Sequence, residues 1–365
     1  MKPLPSIFND VIGPVMRGPS SSLSAGWWWV GGLAVQMIRG NLKNALIEFD
    51  KEGAWTTNYE EQGTVLGMNG GLLEIDMSDD AMKRTENIAS ERGVDIQYEI
   101  SSFENSHANS MQLTLTSDVG DTLKILAASL GGGSFEIQKI DGYSVNRKGD
   151  LYELYVWSEG GIENDISGQQ ANNFKIVSGS SDTFNLDILE SSEAFDEKLI
   201  GQLRSLAQVI KIDEVRPVMP IVSGRQTTLP FESIESLLDY SAQMDLTLGE
   251  LGLLYEQHGS GLAVGDLKEK MERIIEIIEN SIATGLSGTV YSDRILPQQS
   301  NLVEKAEKRG KILQGSIVNK IIENVAAIME SKSAMEVIVA NPTAGSCGTV
   351  GGALKAVADE VNATK

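Results

Sequence analysis

The segment Asn341-Pro342-Thr343-Ala344-Gly345-Ser346-Cys347-Gly348 holds the only cysteine of the chain. A thiol flanked by glycine, with an Ala/Val-rich helical stretch after it, suits an exposed reactive or metal-binding position. At a helix N-terminus the free N–H groups favour the thiolate and lower its pKa. The other reading is a small buried Cys in a tight glycine turn, and from this motif alone the two stand level. One thiol cannot hold a metal cluster alone. A second candidate is Ser20-Ser21-Ser22, which follows Gly18-Pro19 and precedes a helix. Hydroxyls and backbone N–H groups at a helix start bind carboxylate or phosphate, although serine is also a common helix cap. Of the two histidines, His258 ends a helical stretch, where a cation complements the dipole. His107, in a polar loop before a strand, is the better candidate for a general base. No spacing of His, Cys or carboxylates matches a metal site, and no phosphate-binding loop with Lys-Ser/Thr occurs. Trp27-Trp28-Trp29 cannot all face one core from one helix, so at least one indole is expected at a pocket or interface.

These groups must be positioned by elements that the patterning outlines. An apolar helix from Trp27, a strand over 44–50 and a Gly-rich helix from Thr64 fill the first stretch. Met111–Thr116 and Phe135–Ile140 alternate with the period of strands, on either side of a turn at Gly131-Gly132-Gly133. A strand at Leu151–Trp157, a hairpin from Asn173–Val177 and Thr183–Leu189, a helix over 196–206 and a strand at 209–212 follow. Pro217 and Pro220 mark a linker. The remainder reads as helical. Pro230 is placed for a helix start, with Phe231, Ile234, Leu237 and Leu238 on one face. Leu267, Met271, Ile274, Ile275, Ile278 and Ile282 form a second stripe closed by Gly285, and Ile317, Ile321, Val325 and Ile328 form a third; all three read as core. The fold class expected is α/β (α+β), with several domains.

Composition bounds the function. The 365 residues fit two or three domains, and 41% hydrophobic content supplies real cores. With 30 basic and 51 acidic side chains the net charge is −21, which disfavours nucleic acid and anionic membranes as partners. The apolar stretch Trp27–Ile38 is too short to span a bilayer, and Met1–Arg17 lacks the apolar core of a signal peptide. A single Cys allows no intrachain disulfide and fits a reducing cytoplasm. A soluble cytoplasmic protein is expected.

Taken in order, Ile7–Ser22, the Gly131–Gly133 turn followed by Ile140-Asp141-Gly142, and the Pro342–Gly348 loop resemble iron–sulfur-dependent L-serine dehydratases over nearly the whole chain. The resemblance implies a β-type domain at 1–147, a regulatory domain similar to ACT domains (βαββαβ) at 150–216, and the first part of the helical α-type domain at 224–365. It implies elimination of water from L-serine, giving pyruvate and ammonia, at a [4Fe–4S] cluster with one iron free to act as a Lewis acid. Cys347 matches the first cluster ligand and Ser20, Ser21 and Ser22 the substrate loop. Asn109, Thr343, Ala344 and Gly345 fall in the matching substrate-end segments. His107-Ala108-Asn109 stands where the family often has His-Pro-Asn, which makes His107 the candidate surviving base. The chain also departs from the family. Its serine loop continues Leu23-Ser24 instead of His-Thr, and Glu60-Glu61-Gln62-Gly63-Thr64-Val65 replaces Lys-Gly-His-Gly-Thr-Asp. Gln62 can orient a substrate but cannot accept a proton at neutral pH. The family's α-type domain continues past Cys347 with further cluster cysteines. The reading is therefore a subunit acting on a small amino acid, its cluster completed by a second subunit that resembles the C-terminal half of that domain. The helix faces at Ile317–Ile328 and Val350–Val361 are the expected contact surface. The alternative is a catalytically degenerate homologue with a regulatory or scaffold role.

Overall fold

The computed structural model describes residues 5–104, 107–162, 175–180 (backbone only), 184–224, 229–291, 296–313 and 315–363. The architecture is mixed α/β, with two substantial sheets and a helical region. In the first part, β1 (Val15–Met16) is followed by α1 (Ala25–Ala34), β2 (Leu42–Asp50), α2 (Thr64–Leu72), α3 (Thr85–Arg92) and β3 (Asp95–Ser101). β4 (Ser110–Ser117), β5 (Thr122–Gly131), β6 (Ser134–Ile140) and β7 (Tyr143–Arg147) then complete a sheet of order β3-β2-β4-β5-β6-β7. β2 pairs with β3 in parallel, and the other neighbours run antiparallel.

Alternation places Ala45, Ile47 and Phe49 of β2 and Met111, Leu113 and Leu115 of β4 on one buried face. That face packs on Trp27, Val30 and Leu33 of α1. The turn from β5 to β6 needs positive φ at Gly131, Gly132 and Gly133 (104°, 63° and 89°), which explains the glycine run. The tryptophan run is resolved by a helix buried on both sides. Trp27 enters the sheet core and meets Trp55 edge-on at 5.1 Å. Trp28 turns to a second core and donates from Nε1 to Ile75 O at 2.8 Å. Trp29 is half-buried beside the first core. α1 and α2 approach so closely that a Cβ on Gly67 would lie 2.1 Å from Ser24 O.

A second, antiparallel sheet follows: β8 (Tyr152–Ser158), β9 (Lys175–Ser180), β10 (Asn185–Ser191) and β11 (Val209–Val215), in the order β11-β8-β10-β9. β9 and β10 form the hairpin expected there, although Asn173, Phe174 and Thr183 lie outside the described residues. α4 (Glu197–Arg204), capped by Asp196, packs Leu199, Ile200 and Leu203 on Leu154, Val156 and Leu189.

The helical part comprises α5 (Ile234–Met244), α6 (Leu248–Ser260), α7 (Val264–Ser287), α8 (Val303–Lys308) and α9 (Ser316–Ser333). It ends with β12 (Ile338–Val339) and α10 (Cys347–Glu360). Four sequence expectations change here. α5 starts at Ile234 behind a Ser233 capping box rather than at Pro230. It buries none of its residues, so of the expected stripe only Phe231, ahead of the helix, is core. Ile277, not Ile275, is buried on α7. Gly285 does not close α7; it lies inside the helix where a Cβ would meet Ala327 O at 2.1 Å, and Gly288 is the cap. The buried face of α9 is largely polar, with Asn319, Glu323, Asn324, Glu330, Ser331, Lys332 and Ser333 beside Ala327 and Ile328. On α10, Val350, Leu354, Val357 and Val361 are exposed.

Candidate functional site

The two ends of the sequence meet. Val15 pairs with Val339 and Met16 with Ile338, and β1 and β12 form a two-stranded antiparallel ladder. Gly13 N–H donates to Ala340 O and Ala340 N–H to Pro14 O, both at 2.9 Å. Next along the chain, Arg17 is 1% exposed. Its guanidinium donates to Met77 O (3.0 Å), Ser78 O (3.0 Å), Asp80 Oδ1 (3.0 Å) and Met335 O (2.9 Å). A buried cation is tolerable because its fork of donors is matched in this way. Arg17 thereby locks the N-terminal motif onto both the segment after α2 and the end of α9.

The serine loop sits directly behind this lock. Ser24 holds the N-cap position of α1, but its hydroxyl donates to Arg17 O at 2.6 Å instead of capping. Ser20 Oγ accepts from Leu23 N–H at 3.3 Å. The hydroxyls of Ser21 and Ser22 bond no other described side chain or backbone group, while Ser22 O accepts from Ser129 Oγ at 3.0 Å. The Gly131–Gly133 turn lies alongside: a Cβ on Gly133 would be 3.0 Å from Pro14, and one on Gly132 3.6 Å from Pro342 O. The serine loop, the glycine turn and the cysteine loop are thus brought together.

In the cysteine loop, Ala344 and Cys347 are each 1% exposed, whereas Thr343 and Gly345 are exposed. Cys347 opens α10 as expected, and of its two readings the buried Cys in a tight glycine turn holds while the exposed thiol with a lowered pKa does not. It is packed in the core with Met16, Ala25, Ile282 and Ile328, and its Sγ lies 3.9 Å from Met329 Sδ. Burial pushes the thiol up to about 11, against the opposing charge of Lys332 and the Gly348 and Cys347 amides. Desolvation outweighs the helix N-terminus here. Ser346, at the N-cap, does not cap α10 either: its Oγ donates to Asn341 O at 2.5 Å. Lys332, 8% exposed on the last turn of α9, is a residue that sequence reasoning missed. Burial pulls its ammonium below the ordinary lysine range, and Cys347 is the group that raises it. Asn324, Ile328 and Lys332 recur at four-residue spacing, so a lysine on a buried helix face was visible in principle.

The remaining candidates stand further out. Gln62 is half-buried on the turn before α2, next to Gly63, whose Cβ would touch Ser24 at 3.4 Å. His107, half-buried, accepts the Asn109 N–H on Nδ1 at 3.0 Å, so a neutral ring carries its proton on Nε2. Asn109 O accepts from Ser129 N–H at 3.0 Å, and Ser129 Oγ binds Ser22 O, so one residue links this loop to the serine loop. His258 Nδ1 lies 2.9 Å from Leu254 O within its own helix, a structural role. A cavity of about 720 Å³ beside α2 and α3 is lined by Asn69, Glu86 and Tyr98, whose hydroxyl donates to Asn69 Oδ1 at 2.6 Å.

The profile described as "Serine dehydratase alpha chain" matches residues 104–365, well over half of the sequence. The chain belongs to the iron–sulfur-dependent L-serine dehydratase family. A protein of Bacillus subtilis (strain 168) named "Probable L-serine dehydratase, beta chain" is 28% identical over 223 residues, 58% of this chain and 97% of that protein. The "L-serine dehydratase, beta chain" of Peptoniphilus asaccharolyticus is 28% identical over 148 residues, 40% of this chain and 66% of that protein. The "Probable L-serine dehydratase, alpha chain" of Bacillus subtilis (strain 168) is 24% identical over 135 residues, 37% of this chain and 45% of that protein. The chain therefore spans nearly all of one relative's length but less than half of the alpha chain. Beta and alpha chains are separate proteins among these relatives.

The family implies a [4Fe–4S] cluster. One buried thiol is not a ligand set, and among the described residues no group of three or more His, Cys, Asp or Glu could hold a metal ion. The residues of this chain do not by themselves fit a cluster. No helix of the described residues is long and apolar enough to cross a membrane.

Proposed function

We propose that the chain is a subunit of an L-serine dehydratase-like lyase that eliminates water from a small hydroxy amino acid. The observation that carries this reading is the β1–β12 ladder, which holds the serine loop and the cysteine loop against one glycine turn. Ser20, Ser21, Ser22, Asn109, Thr343, Ala344 and Gly345 frame the substrate, the serine and threonine hydroxyls serving as donors and acceptors. Gln62 orients it. Cys347 supplies one thiolate, and a partner chain resembling the C-terminal half of the α-type domain supplies the other cluster ligands. The exposed apolar side chains of α10, with Val318 and Ile322 of α9, are the surface that partner covers. His107 is the base. To accept a proton at Nε2, its ring must move its own proton to Nδ1 and release the Asn109 amide.

The sheet order β11-β8-β10-β9 with α4 on one face supports an ACT-like regulatory domain at 150–216, between a β-type domain at 1–147 and an α-type segment at 224–365. The test is anaerobic co-purification with a cysteine-bearing second subunit, followed by iron, sulfide and pyruvate measurements with L-serine. Iron in the pair, and turnover lost in His107→Ala, are expected. A pair without iron sinks the shared cluster, and unaltered turnover in His107→Ala removes His107 as the base. The second reading, a non-catalytic scaffold or regulatory subunit, is favoured by the burial of the Cys347 thiol.

A further inference from the structure

Arg17 and Arg147 are both buried, at 1% and 7% exposure, but they are satisfied unequally. Arg17 donates from Nε, Nη1 and Nη2. Arg147, the last residue of β7, donates from Nη1 alone, to Glu153 Oε1 of β8 at 3.2 Å and to Glu190 Oε1 of β10. Its Nε is buried without a hydrogen-bond partner, and its Nη2 bonds no described residue. The Nε–Nη2 edge is one by which a guanidinium grips a carboxylate through two parallel bonds. Glu153 does not take it, because its other oxygen accepts from the Tyr155 hydroxyl at 2.6 Å. Buried donors of this kind are seldom left unmade, so the open edge calls for an acceptor.

Arg147 lines a cavity of about 830 Å³ where the first sheet, the second sheet and the N-terminal segment meet. Asp10, Asp150, Glu153 and Glu190 line it as well, against Arg147 and Lys148. The lining therefore carries an excess of two negative charges, which favours a cationic occupant. Phe135, Leu151 and Met219 add apolar wall, which suits a methylene chain. One occupant must thus bring oxygens for the guanidinium edge, positive groups for the surplus carboxylates and an aliphatic stretch between them.

We propose that this cavity binds an amino acid with a cationic side chain. Its α-carboxylate lies on the Nε–Nη2 edge of Arg147, its α-ammonium beside Glu190 and its side-chain cation towards Asp10 and Asp150. The site is separate from the serine and cysteine loops and does not rest on the function proposed above. Leu130 and Gly131 nevertheless line it too. The next glycines of that turn lie against Pro342 and Pro14, so an occupant touches the turn on which both loops rest.

The test is isothermal titration of the full chain with three probes. L-lysine carries all the required groups, L-norleucine lacks the side-chain ammonium, and cadaverine lacks the carboxylate. L-lysine binds most tightly, and each analogue is weaker by about tenfold or more, the worth of one charge-assisted hydrogen bond. Arg147→Lys keeps a cation for the two glutamates but loses the planar edge, and it closes the gap between L-lysine and cadaverine. Asp150→Asn keeps an acceptor for the Ser223 hydroxyl, so it tests the site even if Arg147→Lys does not fold. It narrows the advantage of L-lysine over L-norleucine. Wild type that binds no L-lysine, or that binds L-norleucine or cadaverine as tightly, overturns the assignment. So does a folded Arg147→Lys or Asp150→Asn chain that discriminates among the probes as wild type does.

Discussion

The seam between α1 and α2 offers a quantitative test, because it fixes the serine loop relative to the turn that carries Gln62. Replacing Gly67 by Ala would put a Cβ 2.1 Å from Ser24 O and 2.8 Å from Ser24 C. These are backbone atoms that cannot rotate away. Restoring an ordinary contact requires the helices to part by roughly 1 Å, which unpacks the interdigitated faces. Overpacking of this kind costs about 1–3 kcal/mol, and more when only backbone can yield. Against that, alanine in a helix interior regains about 1 kcal/mol over glycine. The net expectation is a loss of roughly 2 kcal/mol. Gly32→Ala is the internal control. It lies on α1, the facing helix, but its Cβ would meet only Val218 at an ordinary 3.9 Å, so it should gain about 0.5–1 kcal/mol. Urea titration followed by tryptophan fluorescence reads both, since Trp27 and Trp28 report from the two faces of α1. If Gly67→Ala is as stable as Gly32→Ala, the seam is not close-packed and the argument for its glycines fails.

Three further outcomes are expected. Arg17→Met strands the carbonyls of Met77, Ser78 and Met335 and should cost about 3–5 kcal/mol in urea unfolding, as for a broken buried charge network; a loss under about 1 kcal/mol contradicts the lock. For the metal-free chain, the thiol of Cys347 is raised from 9.0 to about 11, so the fold favours its neutral form. That contribution is whole below pH 9 and is lost as pH rises towards 11, by about 2–3 kcal/mol through linkage; Cys347→Ala should flatten that limb, and an unchanged limb refutes the shift. Leu354→Glu, at a site 63% exposed, should change the stability of the isolated chain by under about 0.5 kcal/mol. It should nevertheless abolish co-purification with the second subunit, and intact co-purification moves the interface elsewhere.

Much of this fold is legible in short-range patterns. β4 and β6 follow the period-two alternation of Met111–Thr116 and Phe135–Ile140, and the Gly131–Gly133 turn follows from the positive φ that only glycine adopts freely. The helical region is less legible because period alone does not say what lies opposite a face. The stripe of α5 meets no neighbour that buries it, whereas the polar face of α9 is buried by α7 and α10. Gly285 resembles a terminator in sequence and is a contact point in space. At the site, the residue types were visible and their burial was not. The exposure of Cys347 is decided by Met16, Ala25, Ile282 and Ile328, which come from β1, α1, α7 and α9. Lys332 was overlooked because its burial is set by the elements packed on α9 and not by its neighbours in sequence.

The β1–β12 ladder also has a temporal meaning. Its two short strands come from far apart in the sequence, so the site depends on the longest-range pairing of strands among the described residues. Contacts of such separation are slow to form, although the closure entropy grows only gently with loop length. During synthesis the serine loop, α1 and the first sheet can all be in place while Cys347 has yet to be made. A nascent chain would therefore carry a finished scaffold, and the serine loop and the cysteine loop would come together only when β12 arrives.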